Sequence, residues 1–218
     1  MKTEKKRNGW YYIGDKCYPS ITKIIGEVLA KPALLYWYAR EATRIALANP
    51  ELNEKEVMAT LDLKVRNSQD RGKYVHSVAE EMPNIDTAKI KEEYKGYITA
   101  LQGWWEAFKP VIINREVEAY SDKFGFACRV DFICELQKQI WLCDFKTSKT
   151  GEVYPESGLQ LLAGKVALEE REIAKIDKMG TISLAETGEW VFKEMKDLED
   201  DLKALLQLWK WKNRKGNN

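Results

Sequence analysis

The sequence predicts an α/β fold with a central mixed β-sheet flanked by helices. Two stretches, 127–133 and 141–147, are dense in branched and aromatic residues and are separated by polar residues that favour a turn. Apolar residues at helical spacing precede and follow them, so the predicted order is helix, three strands, helix and a closing strand pair. A chain of 218 residues with 44% hydrophobic content buries one sizeable core.

We therefore predict one domain over residues 1–218. Within it, residues 1–67 form an N-terminal hairpin and helical extension, and residues 68–195 form the core. Residues 196–218 form a C-terminal helix and a basic tail.

The composition indicates which cellular compartment and which kinds of binding partner to expect. The formal net charge is +1, so any contact with DNA depends on local patches. Cys17, Cys128, Cys134 and Cys143 show no CxxC spacing, and we interpret them as reduced core thiols. No apolar run reaches the roughly 18 residues that span a membrane, and residues 1–6 lack the apolar region of a signal peptide. We expect a cytoplasmic protein without a membrane partner.

The predicted extension contains a hairpin and two helices. Aromatic runs predict the hairpin over 10–18, and Ser20 opens the first helix. The second helix follows over 33–47. We interpret its aromatic residues as packing groups, with stacking of Trp37 or Tyr36 on unpaired bases as the functional alternative.

Two further helices are predicted next. One covers 53–66, and Ser68 begins the other, which contains His76 and Glu80. These two residues are four apart and so lie on one helix face. His76 is the chain's only histidine, and such a residue is more often structural than a metal ligand.

A long helix is predicted before the first strand. Asp86 caps it, and it runs to about residue 109. We interpret Trp104 and Trp105 as core residues, with stacking on DNA as the minor functional alternative. The first strand follows over 111–120 and places Glu116 and Glu118 on one face, which we interpret as an exposed edge face.

The central hairpin brings acidic residues together. If it turns at Gln137 and Lys138, Asp131 lies opposite Asp144. Opposed residues hold their Cβ atoms roughly 4.5 to 5.5 Å apart, and two like charges there repel each other unless a cation compensates. Hard ions such as Mg²⁺ bind carboxylate oxygens and keep water and phosphate in their other positions. We therefore predict a divalent metal site.

Basic residues lie beside this predicted site. Lys146 follows Asp144 by two residues, so both side chains point to the same face of the strand. The same pairing places Lys146 opposite Arg129. Two cations beside a metal ion suit a phosphate whose ester bond is to be broken.

The last third of the chain contributes further candidates. Lys149, in the loop after the second central strand, either contacts phosphate or is an ordinary turn residue. A helix that begins near Pro155 carries Gln160. Two segments predict the closing strands and one predicts the final helix: 172–184, 189–192 and 197–211. The basic run at 210–215 is either a solvated tail or an accessory phosphate-binding segment.

Asp131 followed by Asp144-Phe145-Lys146 resembles the PD-(D/E)XK nuclease superfamily. In that superfamily an aspartate on one strand and an acid-x-lysine on the next bind metal and position the attacking water. The resemblance implies the restriction-endonuclease-like fold for residues 68–195.

A second motif, Gly72-x-x-x-His76-x-x-x-Glu80, is similar to the helical motif of the RecB-type exonuclease subgroup. This subgroup includes phage and prophage exonucleases, CRISPR-associated adaptation nucleases and a mitochondrial genome-maintenance exonuclease. Its histidine is a metal ligand. The resemblance therefore implies that His76 binds metal and that Glu80 lies behind it.

Together these resemblances imply a full set of site residues. Mg²⁺ or Mn²⁺ is held by the side chains of His76, Asp131 and Asp144 and by the Phe145 carbonyl. Lys146 orients or deprotonates the attacking water. The remaining implied site residues are the strand acid Glu118, the helical glutamine Gln160 and the substrate contacts Arg129 and Lys149.

The chain departs from the subgroup pattern at two positions. Gly164 stands where the Gln-x-x-x-Tyr motif has its tyrosine, and Cys128 stands where a glycine is usual. The cysteines do not follow the four-cysteine pattern that holds an iron–sulfur cluster in some relatives, so we predict no cluster.

The implied function is that of a metal-dependent DNA exonuclease in recombination, repair or phage DNA processing. Its expected partners are DNA, as single strands or duplex ends, and a recombination or annealing protein, with the oligomeric state left open. The alternatives are a non-catalytic nucleic-acid-binding module on the same fold and an endonuclease.

Overall fold

The computed structural model describes residues 5–214 and confirms the predicted fold class. A five-stranded mixed sheet, in the order β4-β5-β6-β7-β8, is flanked by helices on both faces. The strands are β1 Lys5–Arg7, β2 Trp10–Ile13, β3 Lys16–Pro19, β4 Val111–Ser121, β5 Phe126–Leu136, β6 Gln139–Ser148, β7 Lys178–Ala185 and β8 Trp190–Met195. The helices are α1 Ile21–Val28, α2 Pro32–Ala48, α3 Glu54–Glu81, α4 Lys95–Phe108, α5 Glu156–Glu170 and α6 Glu199–Lys212.

Some of the sequence predictions concern residues outside this range. The argument against a signal peptide depends partly on residues 1–4, and the basic run ends at Lys215; these lie outside the described residues. Between residues 5 and 214, no helix is long and apolar enough to cross a membrane.

The sheet is antiparallel except between β6 and β7, which are parallel. Parallel neighbours need a crossover connection, and α5 provides it. One face of the sheet packs against α1, α5 and α6 through a cluster of mainly aliphatic residues that also includes Phe126 and Trp209. The other face packs against α4 and the C-terminal half of α3, and Trp104 is fully buried there, as predicted.

Helix α3 corrects the prediction of two separate helices over this region. Asn53 caps it in a capping box with Glu56, and the helix then runs through residues 66–68 without interruption. Ser68 does not cap a new helix, because it lies in the middle of α3, where its exposed hydroxyl accepts a hydrogen bond from Arg71 at 2.8 Å. The predicted division between extension and core at residues 67 and 68 therefore falls inside one helix.

Other boundaries also differ from the predictions. Asp86 caps only a short 3₁₀ turn, a second such turn follows at Glu92–Tyr94, and the α-helix begins at Lys95. The closing strands start at Lys178 and Trp190, and the final helix starts at Glu199. Cys17 is exposed, whereas the other three cysteines are buried and all four are free.

The N-terminal extension has two parts. The predicted hairpin is present and gains a third strand, β1, and Ser20 caps α1 as expected. Helices α2 and α3 share a small core of Ile45, Val57 and Leu61, against which Trp37 packs. Packing therefore accounts for Trp37, whereas Tyr36 is 69% exposed.

Gly164 marks the closest approach of α5 to the sheet. A Cβ atom at this position would lie 2.7 Å from Val130 Cγ1 and 3.1 Å from Leu142 Cδ2. A tyrosine, as in the subgroup motif, has no room on this face. The close contact explains why a glycine stands at this position, and it places Gln160, one turn earlier, beside the sheet.

We expect Gly164→Ala to destabilise the protein by about 1–3 kcal/mol, because the β-branched Val130 side chain has little freedom to move away. Denaturant unfolding measures this change. Gly26→Ala in α1 is the matched control, since nothing lies within 4 Å of its added Cβ atom, and we expect it to be neutral or stabilising. Equal stabilities for the two variants would contradict the close contact.

Candidate functional site

The candidate site lies where β5 and β6 separate. Their ladder runs from Leu136–Gln139 to Phe132–Cys143 and turns at Gln137 and Lys138 as predicted, with both turn residues at positive φ. All pairs of this ladder follow the predicted register. The ladder ends one residue before Asp131 and Asp144, however, so the two aspartates do not form the predicted pair within it. The open end of the two strands leaves room for side chains from both faces of the sheet.

Asp131 instead bridges the two strands with its side chain. Its Oδ2 atom accepts a hydrogen bond from the Phe145 main-chain N–H at 2.9 Å. This bond fixes the Asp131 carboxylate beside the main chain of β6 and places it between β6 and helix α3.

The pairing between β5 and the neighbouring strand β4 also lacks one residue pair at this level. Arg115 and Val117 of β4 pair with residues of β5, but the position between them, where Glu116 faces Asp131, is skipped. Glu116 has φ of 50°, in the left-handed region that costs a non-glycine residue on the order of 1 kcal/mol. The strained backbone directs the Glu116 side chain towards Asp131.

Helix α3 contributes His76 to this site. His76 Nε2 lies 2.9 Å from the Phe145 carbonyl oxygen, and Nδ1 lies 3.4 Å from Asp131 Oδ2. Arg115 anchors the end of this helix by donating hydrogen bonds to the main-chain carbonyls of Glu80 and, at 2.6 Å, Met82. The carbonyl groups that end the helix are thereby satisfied, and His76 is held over the sheet.

His76, Glu116 and Asp131 form a group that fits a metal ion. One ligand atom from each lies within 4.8 Å of the others. A nitrogen and two carboxylates are suitable ligands for Mg²⁺ or Mn²⁺. The Phe145 carbonyl oxygen, 2.9 Å from His76 Nε2, lies beside this group and would offer a further oxygen ligand.

Asp144, another predicted metal ligand, forms an ion pair with Lys146. The Lys146 ammonium lies 2.8 Å from Asp144 Oδ1 and 2.7 Å from Oδ2, with hydrogen-bond geometry only towards Oδ1. It also donates to Gln160 Oε1 at 3.3 Å. Burial lowers the pKa of Lys146, but the charges of Asp144 and Asp131 outweigh this effect and raise it above its usual value. Lys146 is therefore a fixed cation.

The charges of this site shift the pKa of Asp131. Burial is the largest cause and the nearby charge of Asp144 is the second, and together they raise the pKa of Asp131 to about 7 against the opposing charges of His76 and Lys146. A proton therefore competes with a cation for this carboxylate near neutral pH.

We expect the affinity for Mn²⁺ to fall about tenfold per pH unit below pH 7, because one proton must leave Asp131 before its carboxylate binds a metal ion. Above pH 7 the affinity levels off, since the carboxylate is already ionised. Calorimetric titration with Mn²⁺ between pH 6 and pH 8 measures the slope. A dissociation constant that stays unchanged over this range would contradict the role of Asp131.

An open cleft of about 340 Å³ lies over these residues. The predicted candidates that line it are His76, Glu80, Arg129, Asp131, Asp144, Lys146 and Gln160, whereas Glu118 and Lys149 do not. Arg129 does not pair with Lys146 as predicted. Its Cα partner is Glu118 of β4, and its Nε lies 2.8 Å from Glu116 Oε2.

Several residues of the cleft escaped the sequence analysis as site residues. Tyr11, Ser20 and Thr22 also line the cleft, and Glu116 belongs to the candidate metal-binding group, in which the family resemblance implied Glu118. The strand register could have identified Glu116 from the sequence. A turn at 121–125 that places Glu118 opposite Arg129 also places Glu116 opposite Asp131. Alternation along the strand puts both glutamates on one face and does not distinguish them.

No protein-family model and no curated protein matches this sequence. Three solved structures that it resembles are SSO0001, a candidate exonuclease from Eubacterium rectale, and LHK-Exo in complex with dAMP, where LHK-Exo is an alkaline exonuclease from Laribacter hongkongensis. Their sequence identities are 14%, 13% and 14%, and their TM-scores are 0.37, 0.43 and 0.38.

The lengths covered differ among the three. The matches cover 56%, 66% and 82% of this chain, in the same order. The chain spans only 59% of the length of SSO0001 and 64% of the Eubacterium rectale protein, but 91% of LHK-Exo. Two of the three are exonucleases by description, yet likenesses of this size assign no activity to this chain.

Proposed function

We propose that this protein is a metal-dependent nuclease that hydrolyses phosphodiester bonds at DNA ends. The observation that carries the proposal is the meeting of His76, Glu116 and Asp131 at the open end of β5 and β6, beside the ion pair of Asp144 and Lys146. A binding module gains nothing from three carboxylates facing a phosphate, since they repel it.

The side chains divide into two groups by their contacts. His76, Glu116 and Asp131 would hold Mg²⁺ or Mn²⁺, with the Phe145 carbonyl beside them. Such an ion, when bound, lowers the pKa of a coordinated water and offsets charge on the phosphate. Asp144 takes part through Lys146, which it orients at 2.7 to 2.8 Å.

In the proposed reaction, Lys146 is the side chain that contacts the attacking water and the phosphate. Asp144 and Gln160 fix its ammonium group at the cleft, so it does not need to reorganise when charge develops on the phosphate. Because its pKa is raised, it stays protonated at neutral pH and acts as a hydrogen-bond donor to the water and the phosphate. This favours orientation of the water over its deprotonation by Lys146.

The proposed function predicts that purified protein degrades linear DNA with Mg²⁺ or Mn²⁺ and leaves it intact in excess chelator. The assay compares linear DNA with closed circular DNA of the same sequence by gel electrophoresis. Loss of the linear form alone identifies an exonuclease, because only that substrate has ends. Undiminished cleavage in chelator would remove the metal from the mechanism.

The same assay separates the two alternatives. An endonuclease would also cut the closed circle. A non-catalytic binding module would leave both substrates intact while retarding their migration on a native gel, and that result would contradict the proposal.

A further inference from the structure

Arg129 holds one carboxylate of the proposed metal group. Its Nε lies 2.8 Å from Glu116 Oε2, and its side chain is 53% exposed, against 23% for Glu116. The same Glu116 lies within the 4.8 Å group that includes His76 and Asp131. One carboxylate is therefore shared between a guanidinium and the position of an ion.

The cations that line this cleft differ in how firmly they are held. Lys146 is held by the buried Asp144, which is only 4% exposed. Lys73 contacts Asp70 on the outer side of α3, at 3.0 Å. Arg129 contacts the metal group itself and also extends into the open cleft, so it connects the two.

We propose that Arg129 couples metal binding to the binding of a DNA strand, an inference that rests on the nuclease function proposed above. Without DNA, the guanidinium neutralises Glu116 and places a positive charge beside the ion's position, which lowers metal affinity. A phosphodiester offers the guanidinium a bidentate partner. When Arg129 turns to that partner, its positive charge no longer competes with the ion for the Glu116 carboxylate.

The coupling acts in both directions. A metal ion attracts Glu116 and frees Arg129 for phosphate, so each ligand raises the affinity for the other by the same factor. We expect that factor to be about tenfold, within the range usual for coupled sites. The metal ion then binds most tightly when a strand is already in the cleft.

The test measures Mn²⁺ affinity by calorimetry, with and without a saturating single-stranded oligodeoxynucleotide whose phosphorothioate linkages resist cleavage. We expect the oligonucleotide to tighten Mn²⁺ binding to the natural protein about tenfold. Arg129→Met should bind Mn²⁺ more tightly than the natural protein when no DNA is present. The oligonucleotide should tighten Mn²⁺ binding to this variant by clearly less than tenfold, because only the direct attraction between the ion and the phosphates remains.

Two further variants control for charge and for folding. Arg66→Met removes one exposed positive charge from α3 away from the cleft, and its coupling should equal that of the natural protein. Arg129→Lys keeps the charge but not the planar fork, so an intermediate coupling is expected and the test remains valid if Arg129→Met folds poorly.

The outcomes separate this inference from the proposed function. If the natural protein binds neither Mn²⁺ nor the oligonucleotide, both proposals are wrong. If both ligands bind but the Mn²⁺ affinity is the same with and without DNA, only the coupling is wrong. Tenfold coupling that persists in Arg129→Met would likewise overturn the role of Arg129 alone.

Discussion

Replacing Lys146 by alanine is expected to lower the rate of DNA hydrolysis by about 10²-fold or more, while the affinities for metal and DNA change little. The reason is the fixed position of its ammonium group, 2.7 to 2.8 Å from the Asp144 oxygens and 3.3 Å from Gln160 Oε1. A cation held in place stabilises charge that appears only in the transition state. Its loss therefore affects the rate more than ground-state binding.

The measurement must separate catalysis from stability. Removing Lys146 leaves the buried Asp144 carboxylate without its cation, so the melting temperature should also fall. Rates are therefore compared per folded molecule, from a single-turnover assay at a temperature well below the transition. Lys146→Gln, which still donates a hydrogen bond, should keep more stability than Lys146→Ala but recover little of the rate.

Lys193→Ala is the matched control on the same sheet. Lys193 lies on β8, is exposed and does not line the cleft, so its removal should leave the rate unchanged. If Lys146→Ala retained the full rate per folded molecule, the pair of Asp144 and Lys146 would not be the active site. In a binding module the order is reversed, because loss of a cation would weaken DNA binding and leave no rate to lose.

The sequence predicted the elements around the site better than their ends. The strands containing Asp131 and Asp144 followed from composition, and the turn at Gln137 and Lys138 followed from the polar residues between them. The end of their ladder could not be predicted, because it depends on a side chain. The Asp131 carboxylate accepts the hydrogen bond from the Phe145 N–H in place of a main-chain carbonyl of the neighbouring strand. A side chain that takes the place of a main-chain acceptor leaves no periodic pattern in the sequence.

Helix α3 shows a second limit of sequence patterns. Ser68 favours a helix start by type, and a start there would have shortened the helix that carries His76. Helical hydrogen bonding from Glu54 to Glu81 overrides this local preference, since no proline interrupts the segment. The i, i+4 relation of His76 and Glu80 was nevertheless predictable, because it depends only on the helix and not on where it begins.

Glu116 and Glu118 provide the sharpest test of the proposed metal group. Glu116→Gln is expected to weaken Mn²⁺ binding about 100-fold or more, because even partners behind a metal ligand are worth 10- to 100-fold in affinity. Glu118→Gln is expected to change it less than threefold, since Glu118 does not line the cleft and its Cα is paired with Arg129 in the ladder. Calorimetry at pH 8 measures both.

The two variants make the same chemical change on the same strand, two residues apart, so a general effect of lost charge would appear in both. A selective loss at position 116 would support the direction imposed by its positive φ, which aims this carboxylate at Asp131 and His76. The reverse result, with affinity lost only in Glu118→Gln, would restore the glutamate that the family resemblance implies. It would also mean that β4 rearranges when metal binds, because Glu118 would have to reach the group that Glu116 now completes.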